Sequence, residues 1–359
     1  LYPKPVAPTP STFERESTAI KTLADARARS DAMGEAATVA RRLEITAQCI
    51  ASRVELDHDN RVSGVIYKRY DFPGVPQYEL RRARGKVYVL AGGAIENPRL
   101  ALASGLCSRS EELGRNLMDH PYMMTWGLAP DPVGPFRGPG STSGIGSFRD
   151  GAFREQKGAF RLEIGNWGWN FAAGAPYSNV AELVEGRNLF GAELRRKLHH
   201  DVQRQIRIGV LVEQLPEPAN RVDIDPAWRD AMGEYRPVIS YDIDDYSRAG
   251  LAFAHDACMQ VFRRLGVENH TRYDPNSPEY FTFDGAGYAV FGSGHLIGTH
   301  RMGATPRSSV TDEWQRTWEH DNLWMVGGGS MPTIATSNPT LTLAAMTFRT
   351  AEAIDKALR

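Results

Sequence analysis

The stretch KVYVLAGGAIENPRLALASG (86–105) constrains the fold of this chain more than any other. A short apolar run, KVYVLAGG, ends on the paired glycines Gly92 and Gly93. AIENPRLALASG follows with apolar residues at helical spacing, Ile95, Leu100 and Leu102 or Ala103, and a stop at Gly105. Strand, tight turn and helix in that order predict a unit of an α/β sheet, the architecture in which ligand phosphates sit on helix N-termini. NLWMVGGGSMPTIATSNPTLTLAAMTFRTAEAID (322–355) repeats the plan: a strand, a glycine-rich turn and a helix from about Pro339.

The rest of the chain has room for more than such a sheet. Its 359 residues suit two domains or one large discontinuous one, and 42% hydrophobic with 24% charged residues is a globular composition. A net charge of -1 gives no global field towards nucleic acid or an anionic membrane. Cys49, Cys107 and Cys258 are odd in number and far apart, against a disulfide framework or a Cys-rich metal or iron-sulfur site. No apolar run approaches the roughly 18 residues of a membrane span. The start LYPKPVAPTP lacks the order of a secretory signal. A soluble protein is expected, cytoplasmic or periplasmic. A first residue Leu1 in place of Met points to processing, proteolysis or an incomplete chain.

Along the chain, Pro3, Pro5, Pro8 and Pro10 predict an extended lead-in, and Phe13 to Arg42 a helix. Residues 44–57 and 61–70 predict a hairpin around His58-Asp59-Asn60. From about 122 to 185 Gly, Pro, Trp and Phe recur without a sustained period, which predicts long loops with short strands. Strands are predicted at 207–213, 221–224 and 237–243. The amphipathic segment after them reads as a helix capped by Asp244 or Asp245 and ended by Gly266. No internal repeat is present.

A dinucleotide fingerprint G-x-G-x-x-G should follow a strand. The candidates are poor: Gly285-x-Gly287 has Val290 in third place, and Gly144-x-Gly146 lies in an aperiodic loop, so both read as turn glycines. The C-terminal half is more informative. HLIGTHRMG (295–303) precedes a loop in which Ser337, Asn338, Pro339 and Thr340 mark a helix start. The free N–H groups of such a start would stabilise an anion or an electron-rich ring.

Four motifs, VYVLAGGAIENPRLALASG (87–105), GRNLMDHP (114–121), HLIGTHRMG (295–303) and SNPTLTLAAM (337–346), resemble those of the flavin-dependent glucose-methanol-choline (GMC) oxidoreductases, in the same order. The resemblance runs from about residue 35 to the end. Within the family it is nearest the branch of pyranose oxidases, glycoside 3-oxidases and bacterial sugar dehydrogenases.

The resemblance implies FAD as cofactor and oxidation of a sugar or glycoside secondary hydroxyl to a ketone. A histidine takes the hydroxyl proton while hydride passes to flavin N5, and oxygen or a quinone-type acceptor takes the electrons. The positions implied are His295 as base and Asn338 as holder of the alcohol oxygen. Imidazole suits the first role because it titrates near neutral pH, and an amide the second because it does not compete for the proton. His300 stands beside the family's base position rather than at it. A metal pair from His295 and His300 matches no common ligand spacing, and no metal is expected. Asn338 is expected to combine that role with capping the helix, and helix capping alone is its other reading.

Ala91 and Gly92 are implied to lie along the ADP part of FAD, Cys49 and Ile50 near its adenine, and Gly328, Gly329, Asn338, Pro339 and Thr340 along its ribityl chain and ring. Gly92 and Gly93 either admit the cofactor's close approach or only turn the chain. Glu213, in VEQLPEPANRV, matches an acid near the active site of the sugar branch, with a purely structural use as its alternative. Trp167, Trp169 and Phe171 either stack on a sugar or pack in the core.

The expected fold is α/β: a Rossmann-like FAD domain, incomplete at its N-terminus, with an α+β substrate domain containing an antiparallel sheet. Residues 1–120 and 285–359 form the first and 121–284 the second. The family's N-terminal G-x-G-x-x-G segment is not in this sequence. Disorder, cleavage, or a separate N-terminal chain or small subunit as partner would each account for that. Nor are a flavinylated histidine or the electron-transferring cysteine cluster present. An enzyme is the leading reading. A cofactor-free fragment or sugar-binding subunit without chemistry is the alternative, and a non-redox lyase on the same scaffold a third.

Overall fold

The computed structural model describes residues 44–71, 77–135, 141–165, 180 and 182–359. The proline-rich start, the helix expected over 13–42, and Trp167, Trp169 and Phe171 lie outside them.

The expected hairpin forms as β1 (Cys49–Leu56) and β2 (Val62–Arg69), joined antiparallel. The Asp57 carboxylate accepts from the backbone N–H of Asp59 and of Arg61, both at 2.9 Å, and Asn60 takes the left-handed conformation at φ 62° that the turn requires. β3 (Glu79–Ala83) extends this sheet. β4 (Tyr88–Leu90) then leads into helix α1 (Gly93–Ser104), which Gly105 ends at φ 67°. Pro98 lies inside α1 and has no N–H for the Ala94 carbonyl; the Thr299 hydroxyl donates to that carbonyl instead, at 2.6 Å. A helix that proline would weaken is thereby tied to the distant HLIGTHRMG segment.

The span expected to be mostly loop opens with a full strand, β5 (Pro121–Leu128). PYMMTWGL is almost wholly buried on both faces, so it has no polar alternation to announce it. β6 (Ser141–Ile145) and β7 (Phe160–Gly165) follow, then helix α2 (Gly191–Val202) and β8 (Gln205–Val212). β9 (Arg221–Arg229) and β10 (Tyr235–Ser240) form a hairpin. It lies against α1, through Arg99, and β2, where buried Lys68 meets Glu234 at 2.6 Å. Helix α3 (Asp245–Leu265) begins where Asp244 accepts from Ser247 N–H at 2.6 Å and ends at left-handed Gly266. β11 (Glu268–Asn269), β12 (Tyr280–Phe283), β13 (Ala286–Ala289), β14 (Phe291–Gly292), β15 (Leu323–Met325) and helix α4 (Thr340–Leu358) complete the order. Gly285, of the first rejected fingerprint, turns β12 into β13 at φ 77°.

Two layers matter for the site. β4 and β15 pair in parallel, Leu323 with Tyr88 through Met325 with Leu90, and both run into glycine turns. The larger antiparallel sheet has the order β11-β5-β8-β7-β6, with β14 also on β5. Phe160, Leu162, Ile208, Val210 and Val212 pack one face of it against Leu251, Ala254, Cys258 and Phe262 of α3. The two-residue period of strands then puts Tyr122 and Met124, Glu163 and Gly165, and Arg207, Gly209 and Leu211 on the other face. This mixed α/β arrangement, with its antiparallel sheet, is the expected fold class. No helix among the described residues is long and apolar enough to cross a membrane.

Candidate active site

Three segments distant in sequence are laid together with backbone in direct contact. Met118 and Ile297 exchange both backbone hydrogen bonds at 3.0 Å, joining GRNLMDHP to HLIGTHRMG. The second segment pairs onward with the glycine turn after β15: Gly298 N–H reaches the Gly328 carbonyl at 3.3 Å and His300 N–H the Gly329 carbonyl at 2.8 Å. A Cβ at Gly298, held at φ 99°, would strike the Asn116 carbonyl, and one at Gly328 the Leu296 carbonyl. Asp119 then fixes the start of the HLIGTHRMG segment. Its carboxylate accepts from the N–H of Gly294 at 3.0 Å, of His295 at 2.8 Å and of its neighbour His120 at 2.7 Å.

This scaffold presents His295 with its two nitrogens differently engaged. Nε2 lies 3.4 Å from Asn338 Nδ2, and Nδ1 lies 2.9 Å from Nδ1 of the wholly buried His120. Burial lowers the His295 pKa, opposed by the charges of Asp119 and Glu163. Burial and the His295 charge push His120 down to about 3, so it is neutral at physiological pH. The donor atoms of Asp119, His120 and His295 are near enough to one another to suggest a cation site. The carboxylate is spent on backbone N–H groups, however, and the imidazoles meet edge to edge at hydrogen-bond distance. Asn338 does not cap α4, which starts on Pro339 without any side-chain cap, and Ser337 accepts from Arg149 Nη2 at 2.8 Å. The capping role expected of Asn338 is therefore not made; its amide is directed at His295 instead.

His295 and Asn338 border a cavity of about 290 Å³ whose far wall is the antiparallel sheet. Tyr122, Glu163 and Arg207 supply its polar groups, and Met124 and Leu211 its apolar ones. Burial lowers the Arg207 guanidinium to about 10, which leaves it charged at neutral pH. A Cβ on Gly209 would lie 2.6 Å from the Tyr122 hydroxyl, so this glycine lets the phenol lie flat across β8. None of Tyr122, Glu163 and Arg207 belongs to a sequence motif. What they share is one strand face, visible only once the register is known.

The two glycine turns lie against each other at the ends of β4 and β15. Gly327, at φ 97°, has its Cβ direction 3.8 Å from the Gly93 Cα, and a Cβ on Gly93, at φ 74°, would enter open space. Helix α1 starts at this turn with no side-chain cap on its first N–H groups. Glycine backbone beside open space, uncapped amides and the ends of two parallel strands fit a flat anionic dinucleotide such as FAD. One residue beneath holds both turns. Asn97 Oδ1 accepts from Gly92 N–H at 2.7 Å, and its Nδ2 lies 3.1 Å from the carbonyls of Leu90 and Val326 and from His300 Nε2. His300 is fully buried under Gly329, and burial lowers it to about 3. It supports the turn and does not line the cavity.

Ala91, Gly92, Gly328 and Gly329 thus gather at the strand ends, and Asn338, Pro339 and Thr340 at the start of α4. Cys49 and Ile50 lie at the start of β1, with no described bond to either turn. Glu213 does not line the cavity. Its carboxylate takes Arg154 at 3.1 and 2.9 Å, Ala159 N–H at 3.0 Å and the Tyr246 hydroxyl at 2.7 Å, the structural alternative weighed for it. The neighbouring Gln214 is the residue of that motif that reaches the site: its Oε1 accepts from Asp119 N–H at 3.1 Å. His120 stood inside the quoted motif GRNLMDHP; a histidine between Asp119 and the Pro121 that opens β5 was the available signal.

The chain is similar to known proteins over most of its length. Family models described as GMC oxidoreductase match residues 15–122 and 216–347. The fructose dehydrogenase large subunit of Gluconobacter japonicus is 30% identical, over 87% of this chain and 54% of its own. Paromamine 6'-oxidase of Streptomyces fradiae is 27% identical, over 76% of this chain and 46% of its own. Among solved structures, pyridoxine 4-oxidase from Mesorbium loti superposes with a TM-score of 0.59 at 17% identity, covering 89% of this chain and 60% of its own. The chain spans about half the length of the curated relatives it matches.

Proposed function

Since the chain belongs to the GMC oxidoreductases, a family of FAD-binding flavoproteins, we propose that the protein oxidises a secondary hydroxyl of a sugar or glycoside to a ketone. The observation that carries this reading is the cavity in which His295 and Asn338 face Tyr122, Glu163 and Arg207. An acceptor, a donor and a phenol on one wall suit a substrate with several hydroxyls. Fructose dehydrogenase and paromamine 6'-oxidase, named for sugar and aminoglycoside substrates, support the same class.

FAD, held at the glycine turns of Gly92–Gly93 and Gly327–Gly329, would supply the acceptor for the hydride on the carbinol carbon. The chain's own residues do the rest. Asn338 Nδ2 donates to the alcohol oxygen and orients it at His295. His295 Nε2 takes the hydroxyl proton, without which the carbon is a poor hydride donor. A pKa lowered by burial keeps that nitrogen free at neutral pH. Glu163, Arg207 and Tyr122 hold the remaining hydroxyls, so the carbon presented is set from the sheet side.

The test is the visible spectrum of the full-length protein, mixed anaerobically with a pyranose or glycoside. Flavin bands that bleach are expected, and His295→Ala should slow bleaching by roughly 10²- to 10⁴-fold, the range of general-base catalysis, with flavin still bound. Reduction of the variant at the unaltered rate would sink the assignment of the base. A colourless protein that binds sugar would favour the reading as a binding subunit.

A further inference from the structure

We propose that His120 is a positioning residue that fixes His295 in the tautomer with Nδ1 protonated and Nε2 bare, which makes Nε2 the basic nitrogen of the site. The proposal rests on the reading of His295 as the base, and three observations carry it.

The first is the contact between the two rings. Nδ1 of His295 and Nδ1 of His120 lie 2.9 Å apart with the ring planes at 87°, so one nitrogen carries a proton and the other accepts it. Were both bare, two lone pairs would be opposed inside the protein.

The second observation decides which nitrogen donates. The other nitrogen of His120, Nε2, is buried without a close hydrogen bond among the described residues, and the backbone group acting on the ring is the Ala335 carbonyl. A carbonyl only accepts, so it favours the proton of neutral His120 on Nε2. His120 Nδ1 is then an acceptor, and His295 Nδ1–H must be the donor. The third observation comes from the opposite edge of His295. There the Asn338 amide directs Nδ2, a donor, at Nε2. Both edges of His295 call for the same tautomer.

The choice of partner matters. A base that keeps one tautomer is usually held by a carboxylate, which also raises its pKa. Here the nearest carboxylate, Asp119, grips the backbone of Gly294, His295 and His120, and a neutral imidazole holds the ring. His120 orients without adding charge. When His295 takes a proton on Nε2, its Nδ1–H bond to His120 strengthens, because the donor is now cationic. No hydrogen-bond partner of His120 Nε2 among the described residues offers the proton a way onward.

The experiment uses the full-length protein labelled with ¹⁵N-histidine, with the His295 signals identified by their loss in His295→Gln. At neutral pH the ¹⁵N shifts of His295 should be those of protonated Nδ1 and bare Nε2. In His120→Leu they should move towards a mixture of tautomers, and kcat should fall roughly 10²-fold or more with KM little changed. His120→Asn, whose Oδ1 can accept in place of Nδ1, should restore the tautomer and most of kcat. Shifts showing the proton on Nε2 in the wild type would overturn the proposal, even if neither His120 variant folds. So would an Asn variant as impaired as the Leu variant. A protein with the expected tautomer that oxidises no sugar or alcohol would support the role of His120 and defeat the functional reading alone.

Discussion

The two sides of the candidate site are built in opposite ways. On the side of the parallel strands, backbone meets backbone: Gly298 against Asn116, Gly328 against Leu296, and Gly329 against His300, with Asn97 bonded to both turns. On the side of the antiparallel sheet, single side chains from β5, β7 and β8 stand over a cavity. On the first side, Gly298, Gly328 and Gly329 tolerate no added atom. On the second, the polar side chains border a cavity. A bound cofactor needs a fixed surface of one shape, whereas a substrate pocket can differ by one side chain without disturbing the strand that carries it.

Adding one methyl group to each side is the sharpest way to break that comparison. In Gly329→Ala the new Cβ would land on the His300 ring and 2.9 Å from Thr299 Oγ1, both wholly buried. The His300 ring cannot retreat without abandoning Asn97, which holds both turns. Overpacking of this kind costs about 3 kcal/mol at the upper end of its usual range. Urea unfolding of the full-length protein should show the unfolding free energy fall by that amount and the midpoint fall with it, or the protein should fail to accumulate. An unchanged midpoint would mean that the turn is not closely packed and that the contrast between the two sides is overstated.

The same contrast explains what the sequence could and could not tell. A turn that forbids side chains leaves glycines in the chain, and Gly92–Gly93 and Gly327–Gly329 were legible for that reason. So was α3, because Asp244 and Gly266 mark its ends with local chemistry. β5 was not legible, because buried faces on both sides erase the alternation that identifies a strand. Asn338 showed both its position and a misleading reason for it, since Asn before Pro suggests a cap that the side chain does not make. Tyr122, Glu163 and Arg207 could not be found at all. Each is a single residue on a different strand, and only the register of β5, β8 and β7 puts them on one face. His120 and Asn97 lay inside quoted motifs, but their roles depend on partners 175 and 203 residues away.

On the sheet side, Gly209→Ala should behave differently from Gly329→Ala. Its Cβ would meet the Tyr122 hydroxyl at 2.6 Å and ring carbons at 3.0 and 3.1 Å, the far end of a side chain that can swing into the cavity. Stability should change by less than about 1 kcal/mol, as for a substitution that the structure can absorb. KM for the sugar should rise about tenfold, the equivalent of one lost hydrogen bond, with flavin content unchanged. Loss of flavin together with KM would show that the two sides are mechanically one body.

The smallest change is electrostatic and leaves the packing alone. The Glu163 charge acts on His295 across the cavity and raises its pKa, against the larger lowering by burial. In Glu163→Gln that support for the imidazolium is gone, and Arg161, now 3.4 Å from a neutral amide, loses its counter-charge. The loss of the Glu163 charge makes His295 harder to protonate. Because the reaction needs the bare nitrogen, kcat/KM normalised to each protein's own maximum should fall on the acid side only, below the ordinary imidazole value near 6.5. The acid limb of the Gln variant should lie at lower pH than that of the wild type. Asp119, the other charge that raises His295, stays in place, so the displacement should be partial. A limb that moves to higher pH, or stays where it was, would mean that Glu163 does not sense the base, and that the sheet wall binds substrate without tuning the chemistry opposite.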